Sequence, residues 1–84
     1  MPAVRVRQME RVLVDSSVVV SLTYDEDTLT LDVEFRSGRI YRYFMLPRAI
    51  YDALVAAGSV GAYFNTKVRQ RYPHRKISEA RSER

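Results

Sequence analysis

The chain has no cysteine and a single histidine, His74, and these two shortages restrict the chemistry it can perform. Without cysteine it can form no disulfide, hold no zinc through thiolates and use no thiol as a nucleophile, and it suits a reducing compartment. A lone histidine beside arginines has no assigned base, nucleophile or metal co-ligand. A surface role therefore explains His74 better than catalysis.

Other catalytic signatures are also missing. Ser16 and Ser17 have no His and Asp partners nearby in sequence and fit polar residues at the start of a strand. The acidic run Asp25, Glu26 and Asp27 lacks the twelve-residue pattern and the closing glutamate of a calcium loop. With only three glycines, the chain has no Gly-rich phosphate loop. The sequence thus predicts a protein that is not an enzyme and that needs no metal or cofactor.

Long apolar runs are absent as well. None approaches the roughly 18 residues that a membrane span needs. Residues 1–8 carry Arg5 and Arg7, but no apolar segment of a secretory signal follows them. We therefore expect a cytoplasmic protein.

What the chain does contain is enough apolar material for one small domain. Its 84 residues are 46% hydrophobic and 29% charged, which favours a folded domain over a disordered tail. A chain of this length buries only about 60 to 65% of the surface that its unfolded form exposes. The core is therefore expected to be small.

The net charge of +4 hides an asymmetry along the chain. Residues 15–35 contain six acids and no base, whereas residues 67–84 contain seven bases against Glu79 and Glu83. The C-terminal end is therefore the natural place for a polyanionic partner.

Alternating apolar and polar residues predict strands on both sides of a turn. The alternation runs through residues 18–24 and again through residues 29–35, with turn-forming residues between them. A third strand follows Ser37 and Gly38 and carries Tyr41 and Tyr43 on one face. The three segments predict an antiparallel meander.

The turn at residues 35–39 allows two registers. A type I turn with Gly38 in the left-handed region directs both tyrosines to the core. A two-residue turn pairs Phe35 with Ile40 and directs the tyrosines outward, because a one-residue slip exchanges the faces. We prefer the first register, which forms the pairs Phe35 with Arg39, Val33 with Tyr41, and Leu31 with Tyr43.

Two helices are expected after the strands. Pro47 suits the first position of a helix whose apolar stripe ends at Gly58. Ser59 can cap a second helix, on which Val60, Phe64 and Val68 recur four apart until Pro73 stops it after Tyr72. The predicted fold is α+β, a three-stranded antiparallel meander followed by two helices packed on one face.

An ordered set of residues along the chain matches the pattern of a known family. These residues are Ser17, Tyr24, Asp25, Leu31, Val33, Phe35, Gly38, Tyr41, Tyr43, Pro47, Tyr51, Leu54, Ser59, Gly61, Phe64, Asn65, Arg71 and Tyr72. Through them residues 16–77 resemble the KTSC domain, a small bacterial module named for the C-terminus of some lysyl-tRNA synthetases. Thr23, where the family often has glycine, and Leu46, usually valine, depart from the pattern. The resemblance implies a KTSC-like domain at 16–77, an N-terminal arm at 1–15 and a polar tail at 78–84, in a bacterial or phage protein. It also implies RNA binding through the synthetase association.

The central strand offers two candidate RNA contacts. Tyr41 and Tyr43 could stack on exposed bases, although filling a small core explains them better. On the other face the preferred register leaves Ile40, Arg42 and Phe44 exposed. Arg42 then lies opposite Asp32, and an ion pair across the strands explains it better than a phosphate contact.

The basic end is the stronger candidate. Its bases could also cover the core edge with their stems, stabilise a helix C-terminus or aid solubility. We expect a small binding module that contacts RNA or another nucleic acid through phosphates. The alternative is a protein-interaction module that uses an exposed sheet face around Ile40 and Phe44 or a sheet edge. The candidate nucleic-acid-binding residues are Lys67, Arg69, Arg71, Arg75, Lys76 and Arg42.

Overall fold

A computed structural model describes residues 10–79 of the chain. In chain order its strands are β1 (Arg11–Leu13), β2 (Val19–Asp25), β3 (Thr30–Phe35), β4 (Arg39–Tyr43) and β5 (His74–Glu79). Between β4 and β5 lie helix α1 (Arg48–Ala56) and helix α2 (Val60–Tyr63), which continues as a π-helical segment (Phe64–Val68). We call α2 and this segment together the second helix. In the described range, no helix has the length and apolarity to cross a bilayer.

The five strands form one antiparallel sheet in the order β1-β2-β3-β4-β5. The fold is α+β as predicted, but the prediction of three strands is wrong. β1 has three residues, and the side chains of residues 74–78 on β5 are all exposed. Periodicity reveals a strand only where one of its faces is buried, so the sequence did not indicate either edge strand.

These two strands also lie at the limits of the predicted domain. β1 is within the stretch predicted as an N-terminal arm, residues 1–15, and β5 includes Ser78 and Glu79 of the predicted tail. The rest of the arm, residues 1–9, and of the tail, residues 80–84, lie outside the described residues.

The preferred register of the β3–β4 hairpin is confirmed. Leu31 lies opposite Tyr43, and Val33 lies opposite Tyr41. Gly38 has a φ of 98°, and its N–H donates to the carbonyl oxygen of Phe35 at 2.9 Å. A residue with a side chain adopts this φ poorly, which explains why glycine occupies the turn.

A bulge in β2 changes which valines reach the core. The pairing of β2 with β3 shifts between Val19 and Ser21. Val19 is consequently fully buried beside Leu22, whereas Val18 is 45% exposed. Simple alternation assigns Val18 to the same face as Leu22, because it cannot include the extra residue of a bulge.

The core lies between the helices and one face of β2, β3 and β4. The apolar stripe predicted for the second helix is confirmed, since Val60, Phe64 and Val68 are all buried. Ser59 caps this helix by accepting a hydrogen bond from the N–H of Ala62 at 3.2 Å, as expected. The helix ends at Val68, four residues before the predicted end at Tyr72. The short connection that follows brings β5 alongside β4.

Candidate nucleic-acid interface

The five basic residues predicted near the C-terminus are all exposed. Lys67 is in the π-helical segment, and Arg69 and Arg71 are in the turn that follows it. Arg75 and Lys76 lie on β5. The bases thus run from the end of the second helix onto the edge strand.

The register of β5 separates these residues into two groups. Lys76 lies opposite Tyr41, and Arg75 lies opposite Arg42. Directly opposed residues share a face of an antiparallel pair. Lys76 is therefore on the face that carries the helices, while Arg75 is on the outer face, and the sheet divides the predicted cluster.

Arg42 is held by a carboxylate, as predicted. Its Nε donates to Oδ1 of Asp32 at 2.8 Å and its Nη2 donates to Oδ2 at 3.0 Å. The hydrogen bond to Asp32 raises the pKa of Arg42. Ile40, Arg42 and Phe44 are half-buried, so this outer face is less open than the sequence predicted.

Two further arginines have carboxylate partners. Arg11 contacts Oε1 of Glu34 at 2.9 Å, and the pKa of Glu34 is lowered first by a hydrogen bond from Ser21 and then by Arg11. Arg48 lies 2.9 Å from Glu26 and 3.0 Å from Asp52. Within residues 10–79, by contrast, Lys67, Arg69, Arg71 and Arg75 form no ion pair with a carboxylate. The positive charge of these four bases is therefore not compensated by a carboxylate of the described residues.

A groove that the sequence did not reveal opens next to this basic end. Its volume is about 480 Å³, and it lies between the start of β2, the β3–β4 turn, the core face of β4 and the second helix. No carboxylate of the described residues lines it. Its lining consists of Arg36, Arg39 and Arg69, the rings of Phe35, Tyr41, Tyr43, Phe64 and His74, and the residues Ser17, Val18, Ser37 and Asn65.

Aromatic rings form one wall of the groove. Tyr43 is 3% exposed and contacts Phe64 edge to face at 5.4 Å between centroids, so its predicted role as a core residue is confirmed. The imidazole of His74 lies 4.8 Å from the Tyr43 ring and 5.8 Å from the Tyr41 ring. Tyr41 is only half-buried and presents part of its ring to the groove.

The Tyr43 hydroxyl has an unusual environment. Burial raises its pKa to about 12, and the nearby charge of Arg69 opposes this shift. The hydroxyl is therefore protonated at neutral pH and can donate a hydrogen bond. Among the described residues it has no hydrogen-bond partner, although every fully buried side-chain polar atom there is satisfied. Solvent in the groove therefore reaches this hydroxyl.

Neutral acceptors orient two arginines of the groove. The Nε of Arg36 donates to the carbonyl oxygen of Ser16 at 2.9 Å. The Nη1 of Arg69 donates to Oδ1 of Asn65 at 3.2 Å. Neither acceptor carries a negative charge, so these hydrogen bonds leave the positive charge of both guanidinium groups uncompensated. Sequence reasoning identified Arg69 but missed Arg36, Asn65 and the ring contacts of His74, because no periodic signal places β5 beside the turn.

Comparison with known proteins gives a consistent result. The family model of the KTSC domain matches residues 15–72. The crystal structure of a KTSC domain protein from Yersinia pestis is similar to this chain with a TM-score of 0.81 and 31% sequence identity. That match covers 84% of this chain and 100% of the other.

Two sequence relatives differ in length. A protein of Stutzerimonas stutzeri, described as uncharacterized, is 46% identical over 57 residues, which are 68% of this chain and 80% of that protein. A lysine–tRNA ligase of Nostoc punctiforme is 33% identical over 64 residues, which are 76% of this chain and 11% of the ligase. The similarity to the ligase therefore concerns a small part of that enzyme.

Proposed function

This chain belongs to the KTSC domain family, and we propose that it is a small non-enzymatic module that binds RNA or another nucleic acid, chiefly through phosphates. The contacts would be made by the basic residues at the end of the second helix and on β5. These are Lys67, Arg69, Arg71, Arg75 and Lys76.

One observation carries this proposal. All five of these side chains are exposed. Lys67, Arg69, Arg71 and Arg75 form no ion pair with a carboxylate of residues 10–79, whereas Arg11, Arg42 and Arg48 have carboxylate partners within 3.0 Å. A base already paired with an acid gains little from a phosphate, because it must first give up its partner. The surplus positive charge of the described residues is thus concentrated at one end of the domain.

The mechanism is electrostatic. Each base that neutralises a phosphate releases a condensed counterion, so affinity falls as salt rises. Such contacts position a protein on nucleic acid and carry no base sequence information. Because Arg75 and Lys76 lie on opposite faces of β5, the edge strand would contact the phosphate backbone of a nucleic acid on either face. Binding is expected to be weakly sequence-specific.

The relatives give this proposal limited, associational support. A lysine–tRNA ligase contains a similar segment. That segment is 11% of the ligase, so neither its reaction nor its substrates are transferred here. Transfer RNA is nevertheless the first RNA to test.

A direct titration tests the proposal. Binding of the full chain to transfer RNA, to a generic single-stranded RNA and to duplex DNA would be followed by fluorescence anisotropy at two salt concentrations. We expect binding at low salt and a steep loss of affinity at the higher salt. Absence of binding to all three at low salt would refute the proposal.

A protein-interaction function is the second candidate, and the two sheet edges favour it. Leu13 on the edge strand β1 is 68% exposed, and an unpaired edge can add a strand from a partner. Ile40 and Phe44 offer less support, because they are half-buried. Binding measured at two salt concentrations distinguishes the two functions, since the affinity of an apolar interface depends only weakly on salt.

A further inference from the structure

The groove described above combines three features that basic surfaces usually lack together. It is concave, its volume of about 480 Å³ lies in the range of ligand sites, and it joins arginines to aromatic rings. An anion alone would need only the arginines. The aromatic wall, with the half-buried ring of Tyr41 at its surface, suits a flat heterocycle as well.

From this combination we infer that the groove binds one unpaired nucleotide of single-stranded RNA. Its phosphate contacts Arg36 and Arg69, and its base lies against the ring of Tyr41. The inference rests on the proposed function and adds to it a site and a class of RNA.

The charge of the groove favours the phosphate. Arg36 and Arg69 both line it, and their guanidinium groups are fixed by the neutral oxygens of Ser16 and Asn65. Groups that are already oriented lose less conformational entropy on binding. No carboxylate lies among the described lining residues to repel a phosphate placed there.

The rings favour the base. Tyr43 is almost fully buried, yet its hydroxyl has no partner among the described residues and donates at neutral pH. It can supply a hydrogen bond to a base or a ribose that enters the groove. In a duplex the bases are stacked and paired, whereas an unpaired base can be splayed out onto an aromatic ring. The groove therefore distinguishes single-stranded RNA from duplex RNA and does not distinguish one base sequence from another.

Two double variants with the same charge change test this inference. The groove pair is Arg36→Ala with Arg69→Ala, and the matched pair outside the groove is Lys67→Ala with Arg71→Ala. All four side chains are exposed, and a thermal melt checks that each variant folds. The probes are a ten-nucleotide single-stranded RNA, the same RNA annealed to its complement, and adenosine monophosphate.

The measured quantity is the ratio of single-strand to duplex affinity at low salt. We expect the groove pair to lower this ratio roughly tenfold, because the single strand loses the oriented phosphate contacts inside the groove, whereas the duplex loses only the surface contact of Arg69. The matched pair should lower the affinity for both RNAs equally and leave the ratio unchanged. Tyr41→Ala should lower single-strand affinity about fivefold or more, the effect of losing one stacked base, while Tyr63→Ala outside the groove should not.

The outcomes separate the two proposals. If both double variants leave the ratio unchanged while wild type binds RNA, the groove inference is wrong and the proposed function stands. If wild type binds neither RNA, the groove inference is wrong, and the proposed function is wrong as well if duplex DNA and transfer RNA are not bound either. If adenosine monophosphate alone binds, and the groove pair abolishes that binding, the occupant is a free nucleotide and the assignment to RNA is overturned.

Discussion

The hydroxyl of Tyr24 donates a 2.6 Å hydrogen bond to the backbone carbonyl oxygen of Leu46, 22 residues along the chain. Both residues are buried, and burial is the main cause that raises the pKa of Tyr24. The N–H of Leu46 in turn donates to the carbonyl oxygen of Leu29 at 2.9 Å. The segment between β4 and α1 is thus anchored to β2 and to the β2–β3 turn through one residue.

Removing the Tyr24 hydroxyl tests this anchor. Tyr24→Phe keeps the ring, including its stacking on Tyr51 at 4.8 Å, but leaves the Leu46 carbonyl buried without its partner. We expect the free energy of unfolding to fall by about 1 to 3 kcal/mol. Urea denaturation measures the change.

Tyr63→Phe is the matched control. Tyr63 is half-buried, and its hydroxyl has no hydrogen bond to another described residue. The control should change stability by less than about 0.5 kcal/mol. Equal effects of the two substitutions would mean that the hydrogen bond of Tyr24 contributes nothing.

The β3–β4 turn predicts a difference between two glycines. Gly38 has a φ of 98°, where a side chain is strained, whereas a Cβ added at Gly58 meets nothing within 4 Å. Gly38→Ala should therefore destabilise the protein by about 1 to 2 kcal/mol. Gly58→Ala should be close to neutral. Equal denaturant midpoints for the two variants would contradict a turn that requires a positive φ at Gly38.

Alkaline pH should weaken the fold through Tyr43. Its folded-state pKa of about 12 is above the ordinary value of 10, so the folded protein holds this proton more tightly than the unfolded chain does. The resulting stability is complete below pH 10 and is lost as pH rises toward 12.

Tyr43→Phe isolates this effect. The variant cannot ionise at this position, so between pH 9 and pH 12 it should lose less stability than wild type, by about 2 to 3 kcal/mol. At pH 7 the two should be similar, because the hydroxyl has no described hydrogen-bond partner. If wild type and Tyr43→Phe lost the same stability across this pH range, folding would not raise the pKa of Tyr43.

Charge reversal at the basic end should separate binding from folding. Changing Arg69, Arg75 and Lys76 together to glutamate should preserve the fold, since all three side chains are exposed. RNA affinity should fall for every sequence tested. Each lost phosphate contact should also flatten the plot of log affinity against log salt by about 0.7 to 0.9 units.

A conservative triple variant controls for this change. Arg69→Lys, Arg75→Lys and Lys76→Arg keep the charge and should keep the salt slope near that of wild type. If the glutamate variant binds with the wild-type affinity and slope, these three residues do not contact phosphate.

Much of the centre of the fold follows from local pattern. An alternating pattern on the strands includes Leu31, Val33 and Tyr43, and a helical pattern includes Val60 and Phe64. All five residues are buried, as these patterns predict. The resemblance to the KTSC domain, inferred from such residues, is confirmed by the family match and by the Yersinia pestis structure. These features depend on neighbours in sequence, which a single chain displays directly.

The edges and the groove depended on contacts between distant residues. Nothing near His74 indicates that it pairs with Tyr43, and nothing near Arg36 indicates that it lines a groove with Arg69. An exposed edge strand has no buried face, and so it leaves no periodic trace in the sequence.

The sequence by itself determined the α+β class and the concentration of bases at the C-terminal end, and through Gly38 it favoured the observed hairpin register over its alternative. The tertiary structure alone decided that β1 and β5 extend the sheet, that Arg75 and Lys76 point to opposite faces, and which arginines are neutralised by acids. The physical reason is that hydrophobic period and turn chemistry act over a few residues, whereas strand pairing and ion pairs join positions that only folding brings together.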